Sequence, residues 1–221
     1  MTEPSNFVFG VDLDGVCADF YSDIRPLAAE WLGKPEKDLK DIEVSFDLKE
    51  WGMPKGLYPD FHRWAVTQLD LFKVLTPIDG CPQALRNLSK ATVRIRIITH
   101  RLFIRYFHLP AINQTVHWLD FHDIPYWDLC FMGEKDRVGA HVYIEDSPAN
   151  IHKLLNEGLE VIIFANSTNK EFEGHPQRVK TWREVEMLVM QHFDKWKNAV
   201  DEASRPRRPI LPKKSRRNQT Y

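Results

Sequence analysis

Phe7-Val-Phe-Gly-Val-Asp-Leu-Asp-Gly-Val16 is the stretch on which the reading of this chain turns. An apolar run ends at Val11, two aspartates follow at Asp12 and Asp14, and Gly15 closes the segment. An apolar run this short, bounded by a turn dipeptide, predicts a strand covered on both faces. Residues two apart share a face, so a loop opening just beyond the strand lets both carboxylates address one centre. Open α/β sheets bind their ligands in that position, outside the carboxyl ends of strands. Two other readings stand beside this one. Asp-Gly is a common turn dipeptide. Asp-x-Asp-Gly also opens calcium loops, but the glutamate expected at loop position 12 is replaced here by Asp23.

Further along the chain, residues 93–99, 142–146 and 161–164 are similar apolar runs, with 127–131 a weaker fifth. Helical segments fall between them. One spans 81–89 after Ile78-Asp79-Gly80, and one spans 102–119, where Pro110 is expected to kink or divide it. A third, 148–156, begins at Pro148 and stops short of Gly158. Thr181 and Glu184 form a Thr-x-x-Glu capping box for the last helix. Val185, Leu188, Val189, Phe193 and Trp196 give that helix an apolar stripe. Strands alternating with helices predict an α/β fold, a Rossmann-like three-layer parallel sheet.

One interval interrupts the alternation. Residues 20–75 show no strand pattern, are punctuated by Pro35, Pro54 and Pro59, and carry nine aromatics between Phe20 and Phe72. The expected organisation is a core from residues 1–19 and 76–202, with 20–75 as a small helical cap inserted after the first strand.

Composition is globular, with 43% hydrophobic and 28% charged residues in 221, which excludes a wholly disordered chain. The net charge of -1 is a sum of unlike parts. Residues 203–221 carry seven basic and no acidic side chains, leaving 23 basic against 31 acidic in the rest, a net of -8. That basic, proline-containing tail is expected to be disordered, and either solvates the terminus or attracts an anionic partner. Cys17, Cys81 and Cys130 are scattered without metal-ligand spacing. With no secretory signal at the N-terminus, this predicts a reducing, cytoplasmic setting. The longest uncharged stretch, 106–119, is too short to span a bilayer.

Other candidate site residues sit at the same sheet edge. Thr99 ends the second strand, Lys135 follows the weak strand, and Glu145-Asp146 ends the next. Paired carboxylates at strand ends make a hard oxygen site suited to magnesium. Each has a plainer reading: Thr99 as a strand terminus, Lys135 as part of a solvated charged run with Arg137 as alternative, Glu145-Asp146 as a cap for the helix at Pro148.

In order, Asp12-Leu-Asp-Gly15, Thr99, Lys135 and Glu145-Asp146 resemble the four motifs of the haloacid dehalogenase (HAD) superfamily of phosphohydrolases. Asp12-Leu-Asp-Gly-Val-Cys-Ala-Asp-Phe20, Leu75-Thr-Pro-Ile-Asp-Gly-Cys-Pro-Gln-Ala-Leu85 and Val142-Tyr-Ile-Glu-Asp-Ser-Pro148 are similar to the 5'(3')-deoxyribonucleotidase group, the type C 5'-nucleotidases. Two departures stand out: Thr99-His100-Arg101 where that group has Thr-Ser-Pro, and Glu145-Asp146 in place of two aspartates.

The resemblance implies a magnesium-dependent phosphomonoesterase acting on nucleoside monophosphates through an aspartyl-phosphate. By it, Asp12 is the nucleophile and Asp14 the general acid and base. Asp12, the Asp14 carbonyl and Asp146 bind the metal, and Glu145 supports them from behind. Thr99 and Lys135 hold phosphate, and His100, with Arg101, is a further contact to phosphate or sugar. Phe20, Phe46, Trp51 and Trp64 are candidates to stack on a base, against the alternative that they fill the cap's own core. His62, His108, His117 and His122 match no metal spacing. Two rival functions remain: hydrolysis of another small ester such as a sugar phosphate, and a nucleic-acid-associated role for the basic tail.

Overall fold

A computed structural model describes residues 6–39, 44–45, 47–102 and 107–204. Six parallel strands form one sheet: β1 (Val8–Val11), β2 (Arg94–Thr99), β3 (Asp128–Phe131), β4 (Val142–Glu145), β5 (Val161–Phe164) and β6 (Arg178–Val179). Their order is β3-β2-β1-β4-β5-β6. The chain winds outward from β1 in one direction and then from β4 in the other, so the topological switch point lies between these neighbours. A crevice opens there at the carboxyl edge. Val11 pairs with Ile97 on one side and Ile144 on the other, which sets Asp12 beside the end of β4.

The strands are apolar because helices cover both faces. On one face, Phe9, Val11, Ile95, Ile97 and Ile144 pack against α4 (Cys81–Lys90), α5 (His108–Phe121) and α7 (Trp182–Ser204). On the other, Ile98, Tyr143 and Ile163 meet Ile151 and Leu154 of α6 (Pro148–Asn156). Gly10 faces this second core, where an added Cβ would lie 2.9–3.0 Å from Ile98, Ala140 and Tyr143. Such contacts are closer than packed carbons tolerate.

Several boundaries differ from expectation. The two-residue β6 is too short to leave a sequence pattern. Pro110 falls in the first turn of α5, where a missing N–H is harmless, so it neither kinks nor divides that helix. α7 continues through Ser204, two residues into the segment read as tail; residues 205–221 lie outside the described residues. Its start follows the capping box, with the Thr181 N–H donating to Glu184 at 2.9 Å and the Glu184 N–H to Thr181 Oγ1 at 3.3 Å.

Between β1 and β2 the insertion supplies α1 (Phe20–Leu32), α2 (Tyr58–Leu69), α3 (Leu71–Val74) and short 3₁₀ turns. Its two ends run side by side: the Asp19 N–H donates to Thr76 O at 2.9 Å and the Ile78 N–H to Cys17 O at 2.7 Å, flanking an antiparallel bridge between Ala18 and Pro77. Gln114 of α5 fastens the far side of the insertion. Its amide donates to Val66 O at 2.8 Å and to Asp70 at 3.0 Å, and it accepts from the Phe72 N–H at 3.2 Å. No helix among the described residues is long and apolar enough to cross a membrane.

Candidate active site

The loop after β1 is wound tightly before it enters the insertion. Leu13 O accepts N–H groups from Cys17 at 2.8 Å and Ala18 at 2.9 Å, and Cys17 Sγ donates to Asp12 O at 3.2 Å. Leu13, Val16, Cys17 and Ala18 are wholly buried, which anchors the loop from beneath and leaves Asp12 and Asp14 facing the crevice. Gly15 has φ +83°, and a Cβ there would collide with the Asp146 carboxylate, so only glycine brings the β1 and β4 ends together.

Lys135 lies in a 3₁₀ turn after β3 and is buried. Its Nζ is 2.6 Å from Asp12 Oδ1 and 2.6 Å from Glu145 Oε2. Arg137, the alternative cation, points outward with a 70% exposed side chain and pairs with Glu134. Glu145 is used up by the protein: Oε1 accepts the N–H groups of Asp146 and Ser147 at 3.1 Å, and Oε2 accepts from Lys135 at 2.6 Å and Asn150 at 3.3 Å. Asp146 is held by Asn166 Nδ2 through Oδ2, and its carbonyl accepts from Asn169 at 2.8 Å. Thr99 closes β2, is 1% exposed and lines the same chamber.

Asp12, Glu145 and Asp146 each bring a carboxylate oxygen within 4.8 Å of the others, all three buried. Burial raises Asp12 to about 8, with the Glu145 charge adding to the effect. Burial, then Glu145 and Asp12, push Asp146 well above the usual carboxylate range. Burial disfavours the Lys135 ammonium, yet Asp12 and Glu145 outweigh it and raise its pKa. Burial thus drives Asp12 and Asp146 toward their protonated forms, and a cation would take the place of those protons. Such a set favours a bound cation, and all-oxygen donors suit a hard divalent one.

Above the carboxylates is a chamber of about 460 Å³. Asp12, Asp14, Thr99, Lys135 and Asp146 form its floor, while Phe20, Tyr21, Tyr58, His62 and Phe72 of the insertion form its walls. His100 is exposed at its margin and packs against Gly133; burial of its ring and the nearby Lys135 charge lower its pKa. Of the four aromatics singled out in the sequence, Phe20 lines this chamber. Trp51 lines a neighbouring cleft of about 350 Å³ with Lys180 and Asn166. Trp64 packs on Trp31 and Phe61 within the insertion, away from the chamber, so the core-filling alternative describes it. Phe46 lies outside the described residues.

Sequence reasoning missed several residues here. Tyr58 and His62 are four apart on the buried face of α2, a spacing visible in the sequence. Asn166 lies two residues past the end of β5, at the sheet edge where Asp12 and Asp146 each lie one residue past their own strands. Arg101, read as a contact to phosphate or sugar, instead forks onto Asp14. Nη2 donates to Oδ1 at 2.6 Å and Nε to Oδ2 at 3.0 Å.

A parallel 3-2-1-4-5-6 sheet with this site at its switch point and a helical insertion after β1 is the HAD-type hydrolase fold. A HAD family hydrolase from Deinococcus radiodurans R1, solved with bound phosphate and sodium, superposes with a TM-score of 0.59 at 13% identity over 86% of this chain and 97% of that one. A haloacid dehalogenase-like family protein from Streptococcus pneumoniae gives 0.55 at 12% identity over 85% and 98%. The family model described as 5' nucleotidase, deoxy (pyrimidine), cytosolic type C matches residues 6–193. The Chlorobaculum tepidum protein named "Putative 5'(3')-deoxyribonucleotidase" is 53% identical over 186 residues, 84% of this chain and 91% of that protein. The chain belongs to this type C 5'-nucleotidase family. It is a phosphoric monoester hydrolase.

Proposed function

We propose that the chain dephosphorylates (deoxy)nucleoside monophosphates with the help of magnesium, through a phosphoryl group carried covalently on Asp12. The observation that carries this reading is the Lys135 ammonium 2.6 Å from both Asp12 and Glu145, on the floor of an aromatic-walled chamber. The name of the Chlorobaculum tepidum relative supports the substrate class.

Asp12, Asp146 and the Asp14 carbonyl are the residues to hold magnesium, which when bound offsets the charge gathering on the phosphoryl oxygens. Glu145 has both oxygens occupied by the protein and orients its neighbours. A carboxylate oxygen of Asp12 attacks phosphorus, and the bond from phosphorus to the leaving oxygen breaks. Lys135 and Thr99 hold the phosphoryl oxygens, and the ammonium offsets repulsion between carboxylate and phosphate dianion. Asp14 gives its proton to the leaving oxygen. It then takes a proton from the water that attacks phosphorus, which frees Asp12 and inorganic phosphate. His100 is positioned at the chamber margin to meet phosphate or sugar. Phe20 and Tyr58 offer faces on which a base can stack.

In this reading residues 1–19 and 76–202 are the catalytic core and 20–75 the cap that selects the leaving group. The setting is cytoplasmic, supported by three free cysteines and by the family's description. A phosphate-release assay across nucleoside monophosphates and sugar phosphates tests the substrate claim. The expected result is high turnover on nucleotides, and turnover confined to sugar phosphates refutes it. Asp12→Asn is expected to abolish release while leaving the circular dichroism spectrum unchanged; full activity in that variant refutes the covalent route.

A further inference from the structure

We propose that Arg101 is a positioning residue for Asp14, holding the carboxylate that serves the leaving group and taking its own position from the cap and from α5. The inference rests on the reading of Asp14 as proton donor. Arg101 is 2% exposed, although it stands on the chamber wall. Three of its nitrogens are engaged: Nη2 on Asp14 Oδ1 at 2.6 Å, Nε on Asp14 Oδ2 at 3.0 Å, and Nη1 on Thr115 Oγ1 at 3.1 Å. Its guanidinium carbon lies 4.2 Å from the centre of the Phe72 ring. Thr115 belongs to α5 and Phe72 to α3, so core and cap each fix one edge or face of the same planar group.

That arrangement fixes how Asp14 is turned. A guanidinium fork matches a carboxylate with two parallel bonds, so Asp14 cannot rotate while both hold.

Leaving-group dependence separates this role from its rivals. A nucleoside alkoxide needs a proton to depart, whereas p-nitrophenolate leaves without one. kcat/KM covers only the steps through that departure, so hydrolysis of the phospho-enzyme does not enter it. Three full-length magnesium-loaded variants are compared with the parent chain on the best nucleoside monophosphate and on p-nitrophenyl phosphate. Asp14→Asn sets the reference, a loss of ~10²–10⁴-fold on the nucleotide with little change on the aryl ester. Arg101→Lys keeps the charge but loses the fork and the stacking face. It is expected to lose ~10²-fold on the nucleotide, the order expected of a misplaced catalytic group, and no more than a few-fold on the aryl ester. Thr115→Val, which leaves the fork intact, should show a smaller loss with the same selectivity.

Equal losses on both esters in Arg101→Lys, whether in kcat or in KM, mean a structural or phosphate-binding role and overturn the proposal, as does unchanged activity on both. If Asp14→Asn lacks the selective loss, the reading of Asp14 itself falls. If Asp14→Asn shows it and Arg101→Lys does not, this inference alone falls.

Discussion

Lys135 does two things with one ammonium. It orients the Asp12 carboxyl, and it is the cation 2.6 Å from two buried carboxyl groups. Removing one partner of a buried ion pair leaves its counterpart uncompensated, which costs about 3–5 kcal/mol. Lys135→Met should therefore lower the denaturation free energy by that order in metal-free protein, and magnesium should recover part of it. Urea titrations with and without the ion check both halves, and an unchanged midpoint would remove Lys135 from the charge balance. At this scale the sequence was informative only where the backbone is regular. Asp12, Thr99 and Asp146 were legible because strand ends place them. Arg101 and Asn166 were not, because nothing in the chain says which way a side chain turns once the strand has stopped. Lys135 is preferred to Arg137 only through the family resemblance, since both sit in one charged run; in the structure Lys135 is buried and Arg137 exposed.

Among the elements, α2 carries the chamber wall and a pH signature. His62 is buried between Tyr58 and Phe72. Burial lowers its pKa from 6.5 to about 4, against the smaller opposing effect of Asp14. A histidine depressed in the folded state contributes stability that is fully present above pH 6.5 and is lost as the pH falls towards 4. The loss amounts to about 3 kcal/mol across that window. His62→Phe should flatten this part of the profile, read as melting temperature against pH between 7 and 4. An acid limb of unchanged slope would assign the effect to other groups. The helices themselves were readable where their apolar spacing is regular, as in α7, and α6 matched its proline-to-glycine span. α5 was misjudged through Pro110, because a proline is ambiguous until the helix start is known. The 3₁₀ turns and the two-residue β6 are too short to impose a period.

Over the whole molecule, charge is segregated. Residues 1–202 sum to -8, while 203–221 add seven positive charges. A chain ending at Ser204, where α7 stops, should keep its kcat/KM on free nucleotides, since the chamber is lined by residues from Asp12 to Asn150. A large fall in turnover would show that the tail reaches the site. Chelation acts on the other half of the balance. With EDTA the body keeps its buried carboxylates and loses the cation proposed to offset them, so activity should vanish and return on adding magnesium. Activity that survives exhaustive chelation would contradict a metal-assisted reaction. The architecture as a whole was legible from the alternation of strands and helices. The insertion was legible mainly as an interruption, because its aromatics do not announce which faces turn inward: Phe20 reaches the chamber and Trp64 does not.

The paired ends of the insertion have a consequence for how such a chain can change. Thr76 and Asp19, Ile78 and Cys17 are bonded across a neck no wider than a hairpin. The sheet therefore experiences everything between them as one long loop whose ends already touch. Closing a loop costs entropy that grows only with the logarithm of its length, about 0.6 kcal/mol for each doubling. Residues can be added to or removed from the segment that walls the chamber at little expense to the sheet that carries its floor. Such changes must spare α3, whose Phe72 ring lies against Arg101 and whose Phe72 N–H donates to Gln114 of α5.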